Sequence, residues 1–587
     1  MSATTPIQTE HPGSLAAAYR DALDWLVSHD APSRLFRRDH TLWKDDASHA
    51  AHAATIESRL GWIDAPAWLS ARREELRAFA ASLREEGFTR VLLLGMGGSS
   101  LAPEVLQRTL RPGPGAPTLA VLDTTDPAAV RHATGASKLE RTFFLVSSKS
   151  GATIETLSQY RYFRAALESA KVSNPGRRFA AITDAGSPLD ALAAQEGFRA
   201  VFRNPPDIGG RYSALSYFGM LPAAILGLDL DAIAERAASA RASSTDRDPT
   251  RNAALRLGAF LAGAAKAGRD KLTLLAPPAL RPLGYWIEQL VAESTGKEGR
   301  GVVPIEGEPL GPAHHYGDDR VFAFLTMQAE PNGDLDRLQA DLERSGAPCV
   351  RIEMADAQEI AGEFFRWETA TALAGAVLGI DPFDEPNVQE SKDATRRLLA
   401  SRGRDGRLPE EAPRSEDSGV AIGADETVWR AITGSLPAHP SLELVVQRFL
   451  ALAKPDDYLA VLAYVERTAE SEAAFEHLRR AIRNGTHLPV LQGYGPRYLH
   501  SIGQLYKGGP PTGLFLVLTA DPAPGEDVAI PGADFSFGQL LRAQALGDLE
   551  SLAAHGKPAL RLHLGSDVAG GLRTINQAAE RAVAARV

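Results

Sequence analysis

Ten residues, SSKSGATIET from Ser147 to Thr156, bring hydroxyl groups, one lysine and one glycine directly after the strand-like run 142–146. Backbone N–H groups at a helix start carry partial positive charge, and hydroxyls and an ammonium group add further donors for an anion. Gly151 allows the backbone to approach that anion closely. The pattern indicates a phosphate-binding loop, although serine and threonine also cap helices without any ligand.

The same layout occurs earlier in the chain, where the apolar run 91–94 leads into GMGGSS (residues 95–100) and then into a helical pattern. This turn is not a dinucleotide fingerprint, because serine stands at the third glycine position, and it lacks the lysine of a P-loop. It therefore favours a small polar ligand, such as a sugar, over a dinucleotide or a nucleoside triphosphate.

Two further segments carry side chains suited to proton transfer. A helical pattern that stops at residues 294–296 places Glu293 in its last turn. The negative end of the helix dipole raises the pKa of a carboxyl group there and makes it a better base. Farther on, residues 495–508 carry His500, and histidine moves protons near neutral pH. The alternatives are a solvated helix end and a structural, hydrogen-bonded histidine.

Taken in order, four motifs resemble the glucose-6-phosphate isomerase family, and they cover most of the chain from about residue 88. They are GMGGSS (95–100), SSKSGATIET (147–156), IGGRYSALS (208–216) and ESTGK (293–297). IDPFDEPNVQESK (380–392) resembles the family's C-terminal signature, and GPRYLH (495–500) aligns with its histidine segment. The resemblance implies an intramolecular aldose-ketose isomerase.

The resemblance also implies roles for the matching residues. Glu293 would be the base that moves a proton between C1 and C2, and Arg211 would stabilise the cis-enediolate. Lys392 and His500 would open the sugar ring. The residues expected to hold the substrate and its phosphate are Gly97, Gly98, Ser99, Ser148, Lys149, Ser150, Thr153, Thr156 and Gly210. The mechanism requires no cofactor and no metal.

The order of the motifs departs from that of the common isomerases. There the histidine segment comes before the lysine segment, whereas here Lys392 precedes His500. This order resembles the isomerase half of bacterial transaldolase/isomerase fusion proteins. The pair His314-His315, after residues 307–309, stands at the conventional place and is the alternative to His500. No carboxylate or cysteine set accompanies that pair at ligand spacing, so no metal site is predicted.

The reaction implied is the reversible interconversion of glucose 6-phosphate and fructose 6-phosphate in glycolysis and gluconeogenesis. A noncatalytic sugar-phosphate-binding protein of the same fold is the alternative, and acceptance of mannose 6-phosphate stays open. An aminotransferring or deaminating enzyme of this fold would need an ammonia source, and the N-terminus has no cysteine nucleophile. The joint presence of Glu293, Arg211 and Lys392 favours the isomerase, because a sensor would not need them.

Short apolar runs alternate with helical stretches, which is typical of parallel sheets wrapped by helices. The runs are 91–94, 118–122, 142–146, 179–183 and 200–202, and then 271–275, 321–326, 349–352, 458–465, 514–518 and 560–564. We therefore predict an α/β protein with two doubly wound, parallel-sheet domains and an N-terminal helical segment. By the resemblance, both domains are of the sugar-isomerase (SIS) type.

We place the boundaries as follows: an N-terminal helical segment at 1–87, a first sugar-isomerase domain at 88–230, connecting helices at 231–265 and a second such domain at 266–587. Segment 401–424 has too little apolar content to pack, so we predict that it forms an exposed loop. The N-terminal segment is too short for a transaldolase barrel, which needs roughly 200 residues or more.

Composition is ordinary for a globular protein of 587 residues, with 44% apolar and 23% charged residues. A net charge of −10 argues against nucleic acid or an anionic membrane as a partner. No signal peptide and no apolar run of about 18 residues occurs. We predict that the single cysteine, Cys349, is a core residue. We expect a cytoplasmic protein whose partner is a small sugar phosphate. A homodimer is compatible with the sequence.

Overall fold

The computed structural model describes residues 6–44, 50–135, 139–328, 330–403, 406–434 and 439–585. It confirms the α/β class, with parallel sheets flanked by helices and further helices in the N-terminal region. The described residues form three sheets. None of the described helices combines the length and the apolar character that crossing a bilayer requires.

The N-terminal region is mainly helical but begins with a strand. Its elements are β1 (Ile7–His11), α1 (Ala16–Ser28), α2 (Ala31–Phe36), α3 (Ala50–Glu57) and α4 (Ala65–Glu85). β1 departs from the helical segment predicted at 1–87. It pairs antiparallel with a strand of the second sheet, with Ile7 opposite Glu353 and His11 opposite Cys349. A five-residue edge strand gives too weak a periodicity to be recognised in the sequence.

The first sheet alternates strands and helices. It consists of β2 (Arg90–Gly95), α5 (Leu101–Thr109), β3 (Thr118–Leu122), α6 (Pro127–Gly135), β4 (Thr142–Ser147), α7 (Ile154–Ser169), β5 (Phe179–Asp184), α8 (Pro188–Gln195), β6 (Ala200–Asn204) and α9 (Tyr217–Ile225). The parallel strands lie in the order β3-β2-β4-β5-β6. The strand order reverses between β2 and β4, and ligands of such sheets bind at the carboxyl ends of the strands beside that reversal.

Two helices, α10 (Leu230–Ser244) and α11 (Ala253–Lys266), lead to the second sheet. It contains β7 (Lys271–Leu275), α12 (Arg281–Thr295), β8 (Val303–Ile305), β9 (Arg320–Met327), α13 (Gly333–Arg344), β10 (Cys349–Met354) and α14 (Ile360–Leu378). The order is β1-β10-β9-β7-β8, parallel except for β1. All 19 residues of α14 are buried. Cys349 is also buried, and burial raises the pKa of its thiol to about 12.

The third sheet follows α15 (Val388–Ala400). Its elements are β11 (Ser415–Asp417), β12 (Val420–Gly423), α16 (Glu426–Thr433), α17 (Leu442–Leu450), β13 (Tyr458–Tyr464), α18 (Ala469–Thr486), β14 (Val490–Tyr494), α19 (Gly503–Gly508), β15 (Gly513–Thr519), α20 (Phe537–Ala554), β16 (Ala559–His563) and α21 (Val568–Ala584). The order is β11-β12-β16-β15-β13-β14. β13 to β16 are parallel, whereas β11 and β12 form an antiparallel hairpin at one edge.

Two features of the region 266–587 differ from the sequence-based prediction. Its strands divide between two sheets rather than one, because alternating apolar runs identify strands without specifying which strands pair. The segment 401–424 is not simply an exposed loop, because it contains β11 and β12. Val420 and Ile422 point to the same side of β12 and are fully buried. Residues 404 and 405 of that segment lie outside the described residues.

Candidate active site

The loop expected to bind phosphate lies between β4 and α7, at the carboxyl end of the first sheet. The Ser148 hydroxyl is 2.8 Å from the Thr153 hydroxyl, and the Gly151 N–H donates to the Ser148 oxygen at 3.1 Å. Thr153 precedes α7, yet its side chain does not cap the helix. Thr156 is buried, and its hydroxyl has no hydrogen-bond partner in the part of the chain that the structure describes. The first N–H groups of α7 are thus not capped by the Thr153 side chain.

The ammonium group of Lys149 contacts residues outside the loop. Its ammonium nitrogen is 2.5 Å from a carboxylate oxygen of Asp184 and 3.1 Å from the Pro206 carbonyl oxygen. The donors that the loop presents are therefore hydroxyls and backbone N–H groups, with Lys149 held by its acidic partner.

A cleft of about 180 Å³ opens beside this loop and joins four distant segments of the chain. Four residues predicted for the site line it: Ser150, Thr153, Lys392 and His500. Lys392 lies on α15, and His500 lies in a short helical turn after β14. The third sheet thus brings the histidine segment to the loop of the first sheet.

His500 is paired with a buried carboxylate that sequence reasoning did not identify. Its Nε2 is 2.9 Å from Glu155 Oε1, and Gln544 Nε2 donates to the same oxygen at 2.7 Å. Burial alone would raise the pKa of Glu155, but the neighbouring His500 keeps it below its usual value. Glu155 lies inside the phosphate-loop motif, but no pattern in the sequence connects it to a residue 345 positions away.

The alternative histidines lie elsewhere. His314 and His315 occupy a short helical turn after β8, with ring centroids 4.4 Å apart, and the His487 ring lies 6.4 Å from that of His315. Neither of the two lines the cleft. Of the three candidates, only His500 lies next to the predicted phosphate loop.

Glu293 lies in the last turn of α12, as the sequence predicts, and its side chain is buried. One carboxylate oxygen is 3.7 Å from Arg211 Nη1, and the other accepts a hydrogen bond from Gln289 Nε2 at 3.0 Å. Burial raises the pKa of Glu293, although Arg211 opposes this effect. A carboxylate with a raised pKa is a stronger base than an exposed one.

Arg211 is fixed by hydrogen bonds on almost every side. Its Nε donates to Ser294 Oγ at 2.8 Å, and Nη2 donates to the carbonyl oxygens of Pro382 and Asp384, each at 2.8 Å. Nη1 donates to Glu385 at 2.9 Å and also approaches Glu293. Burial opposes the charge, but the two carboxylates hold the pKa of Arg211 above its usual value. Nη1 is therefore a fixed positive charge beside the candidate base.

The glycine-rich turn after β2 packs closely against two other predicted site segments. Gly97 has φ +53°, and a Cβ there would overlap the backbone carbonyl of His500. A Cβ at Gly98 would overlap the carbonyl of Gly210, next to Arg211. Only glycine permits both approaches. Ser99 lies in the same turn, and its carbonyl oxygen accepts a hydrogen bond from Ser147 Oγ at 3.0 Å, so the two loops of the first sheet are joined.

One side chain links the base to the histidine segment. Gln289, one helical turn before Glu293, donates from Nε2 both to the Glu293 carboxylate and to the His500 carbonyl oxygen, at 3.0 and 2.8 Å. The structure therefore assembles the predicted residues into two adjoining groups. One contains the loop, Lys392 and His500, and the other contains Glu293, Arg211 and Gly210.

A further cluster supports the segment that holds Arg211. Among the described residues, His52, Asp381 and Asp384 place possible metal-ligand atoms within 4.8 Å of one another. Lys297 Nζ, however, lies 2.6 Å from the Asp384 carboxylate and donates to the Asp381 carbonyl oxygen at 2.5 Å. An ammonium group already supplies the positive charge there, so the cluster is better suited to holding residues 381–384 than to binding a metal.

Similarity to known proteins agrees with this geometry. The family model described as phosphoglucose isomerase matches residues 80–299. A probable glucose-6-phosphate isomerase of Natronomonas pharaonis is 32% identical over 347 residues, which cover 53% of this chain and 78% of that protein. A glucose-6-phosphate isomerase of Rubrobacter xylanophilus is 28% identical over 406 residues, which cover 61% and 92% of the two chains.

Among solved structures, a hypothetical protein from Thermus thermophilus matches with a TM-score of 0.56 at 23% identity, over 67% of this chain and all of that chain. This likeness concerns the fold alone. The assignment of family rests on the matched residues 80–299 and on the relative that is 32% identical and covered over 78% of its length. The resemblance seen in the motifs is confirmed, and the chain belongs to the phosphoglucose isomerase family.

Proposed function

We propose that this chain interconverts glucose 6-phosphate and fructose 6-phosphate at the cleft beside α7, with Glu293 as the base. The observation that carries the proposal is the hydrogen-bonded link through Gln289. It joins a buried carboxylate beside a fixed arginine to the histidine of the cleft. Proton transfer between neighbouring carbons needs these groups within reach of one small substrate.

The phosphate of the sugar would bind at the start of α7. The hydroxyls of Ser148, Ser150 and Thr153, the unpartnered Thr156 hydroxyl and the first N–H groups of the helix can supply the donors. This binding energy, which comes from a part of the substrate remote from the reacting carbons, would hold C1 and C2 in place for the chemical step.

Ring opening would be the work of His500 and Lys392. It moves a proton from the O1 hydroxyl to the ring oxygen, while the C1–O5 bond breaks and O1 becomes a carbonyl oxygen. Glu155 holds the His500 ring through Nε2, which leaves Nδ1 for the substrate. The ionised Glu155 would also compensate the positive charge that His500 carries while it holds the transferred proton.

Isomerisation would then follow in the open chain. Glu293 takes the proton from C2, which gives an enediolate with its negative charge on O1. A proton then passes from the O2 hydroxyl to O1, and the same carboxyl group returns its proton to C1 while O2 becomes the carbonyl oxygen. Arg211 Nη1 would stabilise the negative oxygen of the intermediate, because its guanidinium stays protonated. No atom is lost or gained, as an isomerisation requires.

A noncatalytic sugar-phosphate-binding protein is the second candidate, but nothing in such a function calls for Glu293. Burying a carboxylate whose pKa is raised costs folding free energy at neutral pH, and binding alone does not need that arrangement. Acceptance of mannose 6-phosphate, a cytoplasmic location, the absence of nucleic-acid and membrane partners, and a homodimer remain predictions.

A coupled assay of the purified protein with fructose 6-phosphate and a panel of sugar phosphates tests the proposal. We expect formation of glucose 6-phosphate that depends on Glu293. Tight binding of fructose 6-phosphate by calorimetry, without conversion and without exchange of the C2 proton in D₂O, would instead identify a binding protein.

A further inference from the structure

A second cavity, on the third sheet, does not belong to the active site. It measures about 610 Å³ and lies between α20, the neighbouring strands β12 and β16, and the segment 409–414. Cavities of roughly 300–1,000 Å³ are the size that proteins use for small ligands.

Part of the lining of this cavity is apolar, and the remainder is charged and includes the acids Glu411, Asp425, Glu426 and Glu550. Small side chains face it from both sides, and two leucines of α20 extend the apolar wall. These residues are Ala421, Gly423, Ala553, Ala559, Leu546 and Leu549. Because the β11–β12 hairpin widens the sheet with small residues at this face, the space between the sheet and α20 is left unfilled.

Positive charge is concentrated in one part of the cavity. Arg542 of α20 and Arg561 of β16 both contact one carboxylate, that of Glu410. Arg542 Nη2 lies 2.9 Å from each Glu410 oxygen, and its Nη1 is 3.1 Å from His563 Nδ1. Two neighbouring guanidinium groups require an anion between them, because like charges repel strongly when they are partly buried.

Glu410 belongs to a segment that covers the cavity rather than to the sheet or the helix. Burial would raise the pKa of Glu410, but Arg561 and Arg542 hold it below its usual value. The other acid beside the two arginines is Asp521, which is mostly exposed and lies 3.3 Å from Arg542 Nη1. The chain itself thus shows that a carboxylate fits between the two guanidinium groups.

We propose that this cavity binds a small organic carboxylate with an apolar body, and that Glu410 occupies the carboxylate position until such a ligand displaces it. The arginines recognise the carboxylate, and the alanine and leucine surface takes the apolar body. The helix that carries Arg542 also carries Gln544, which lines the active-site cleft and donates to Glu155. The two sites therefore share one helix.

Calorimetric titration of the full chain with 4-phenylbutyrate tests the proposal, with the uncharged 4-phenylbutyramide as a second probe. Glu410→Gln removes the internal competitor, and we expect it to tighten 4-phenylbutyrate binding at least tenfold. Binding of the amide should not change. Glu470→Gln is the matched control, since it removes the same charge from an exposed position of α18 that does not line the cavity, and it should leave both constants unchanged.

Two further variants locate the bound probe. Adding Arg542→Gln to Glu410→Gln should abolish the gain in affinity for 4-phenylbutyrate, because one of the two guanidinium groups is gone. Ala553→Trp fills the cavity from an exposed position of α20 and should weaken 4-phenylbutyrate binding at least tenfold. The far-ultraviolet circular dichroism and the isomerase turnover of each variant report whether it is folded.

The proposal is overturned if Glu410→Gln does not tighten binding, or if the gain survives Arg542→Gln. If Glu410→Gln does not fold, the Ala553→Trp variant decides the question. An unchanged dissociation constant for 4-phenylbutyrate in that variant would place the probe elsewhere and overturn the assignment.

Discussion

Glu293→Gln should stop turnover while leaving the protein at least as stable at neutral pH. Glu293 is only 8% exposed, and burial raises its pKa. The folded protein therefore holds this proton more tightly than the unfolded chain does, so ionisation at neutral pH lowers the free energy of unfolding. Glutamine keeps the shape and the contact with Gln289 without a charge, and we expect a Tm no lower than that of the unmodified protein.

The expected loss of turnover follows from the proposed role of Glu293 as the base. A positioned general base contributes a factor of about 10² to 10⁴, which corresponds to about 3 to 5 kcal/mol of transition-state stabilisation. We expect kcat to fall by that factor. The Kd of glucose 6-phosphate should stay within about threefold, because the expected phosphate donors lie on the loop before α7 and not on α12.

Three measurements on the same preparation check this prediction: kcat in the coupled assay, Kd by calorimetry and Tm by scanning calorimetry at pH 7. The matched control is Glu385→Gln, since Glu385 is the other carboxylate at Arg211 Nη1 and its side chain is 38% exposed. It should reduce kcat less than tenfold. A larger loss in Glu385→Gln than in Glu293→Gln would refute the assignment of the base, and a Tm several degrees lower in Glu293→Gln would refute the burial argument.

Other substitutions test the remaining parts of the site and its surroundings. His500→Ala should lower turnover of the cyclic sugar at least tenfold more than it lowers exchange of the C2 proton in an open-chain analogue. His315→Ala should change neither rate appreciably. The reverse pattern would assign ring opening to His315, at the conventional place in the sequence. Thr153→Ala should raise the inhibition constant of inorganic phosphate about tenfold, since a hydrogen bond to a charged group contributes about 1.5 to 3 kcal/mol; an unchanged constant would place the phosphate elsewhere. Burial raises the pKa of Glu288 to about 8 and that of Glu306 to about 7, so the folded state binds more protons than the unfolded chain and stability should fall as pH rises from about 5 to about 8. Glu288→Gln should flatten that dependence in urea titrations at several pH values, and an unaltered slope would contradict it.

Much of the fold can be predicted because parallel strands buried on both faces appear as continuous apolar runs. Val91 and Leu93 of β2 pack into one core and Leu92 and Leu94 into another, so the whole run is apolar. β1 and β12 are not predictable in this way, because each is short and pairs at a sheet edge. Which strands pair also depends on contacts between distant segments, which a local pattern does not contain.

The residues of the candidate site also fall into those that a local sequence pattern reveals and those that it does not. Glu293 and the loop before α7 can be found locally, since a helix end and a cluster of hydroxyls are visible in a few residues. Glu155, Gln289 and Glu385 cannot, because their importance comes from the partners they contact in the fold. Lys149 shows that a local pattern can also suggest a contact that the fold does not make. Its residue type suits a phosphate, but Asp184, 35 positions away, holds its ammonium group.

The candidate site lies at the meeting point of three sheets, and this placement has a consequence for refolding. The first sheet supplies the loop before α7, the second supplies α12 with Glu293, and the third supplies His500. Each layer can regain its helices and strands before the layers dock, so circular dichroism should recover ahead of enzymatic activity after dilution from denaturant. On mild heating, activity should be lost before secondary structure. Separation of one layer should abolish turnover while most of the helices and strands persist.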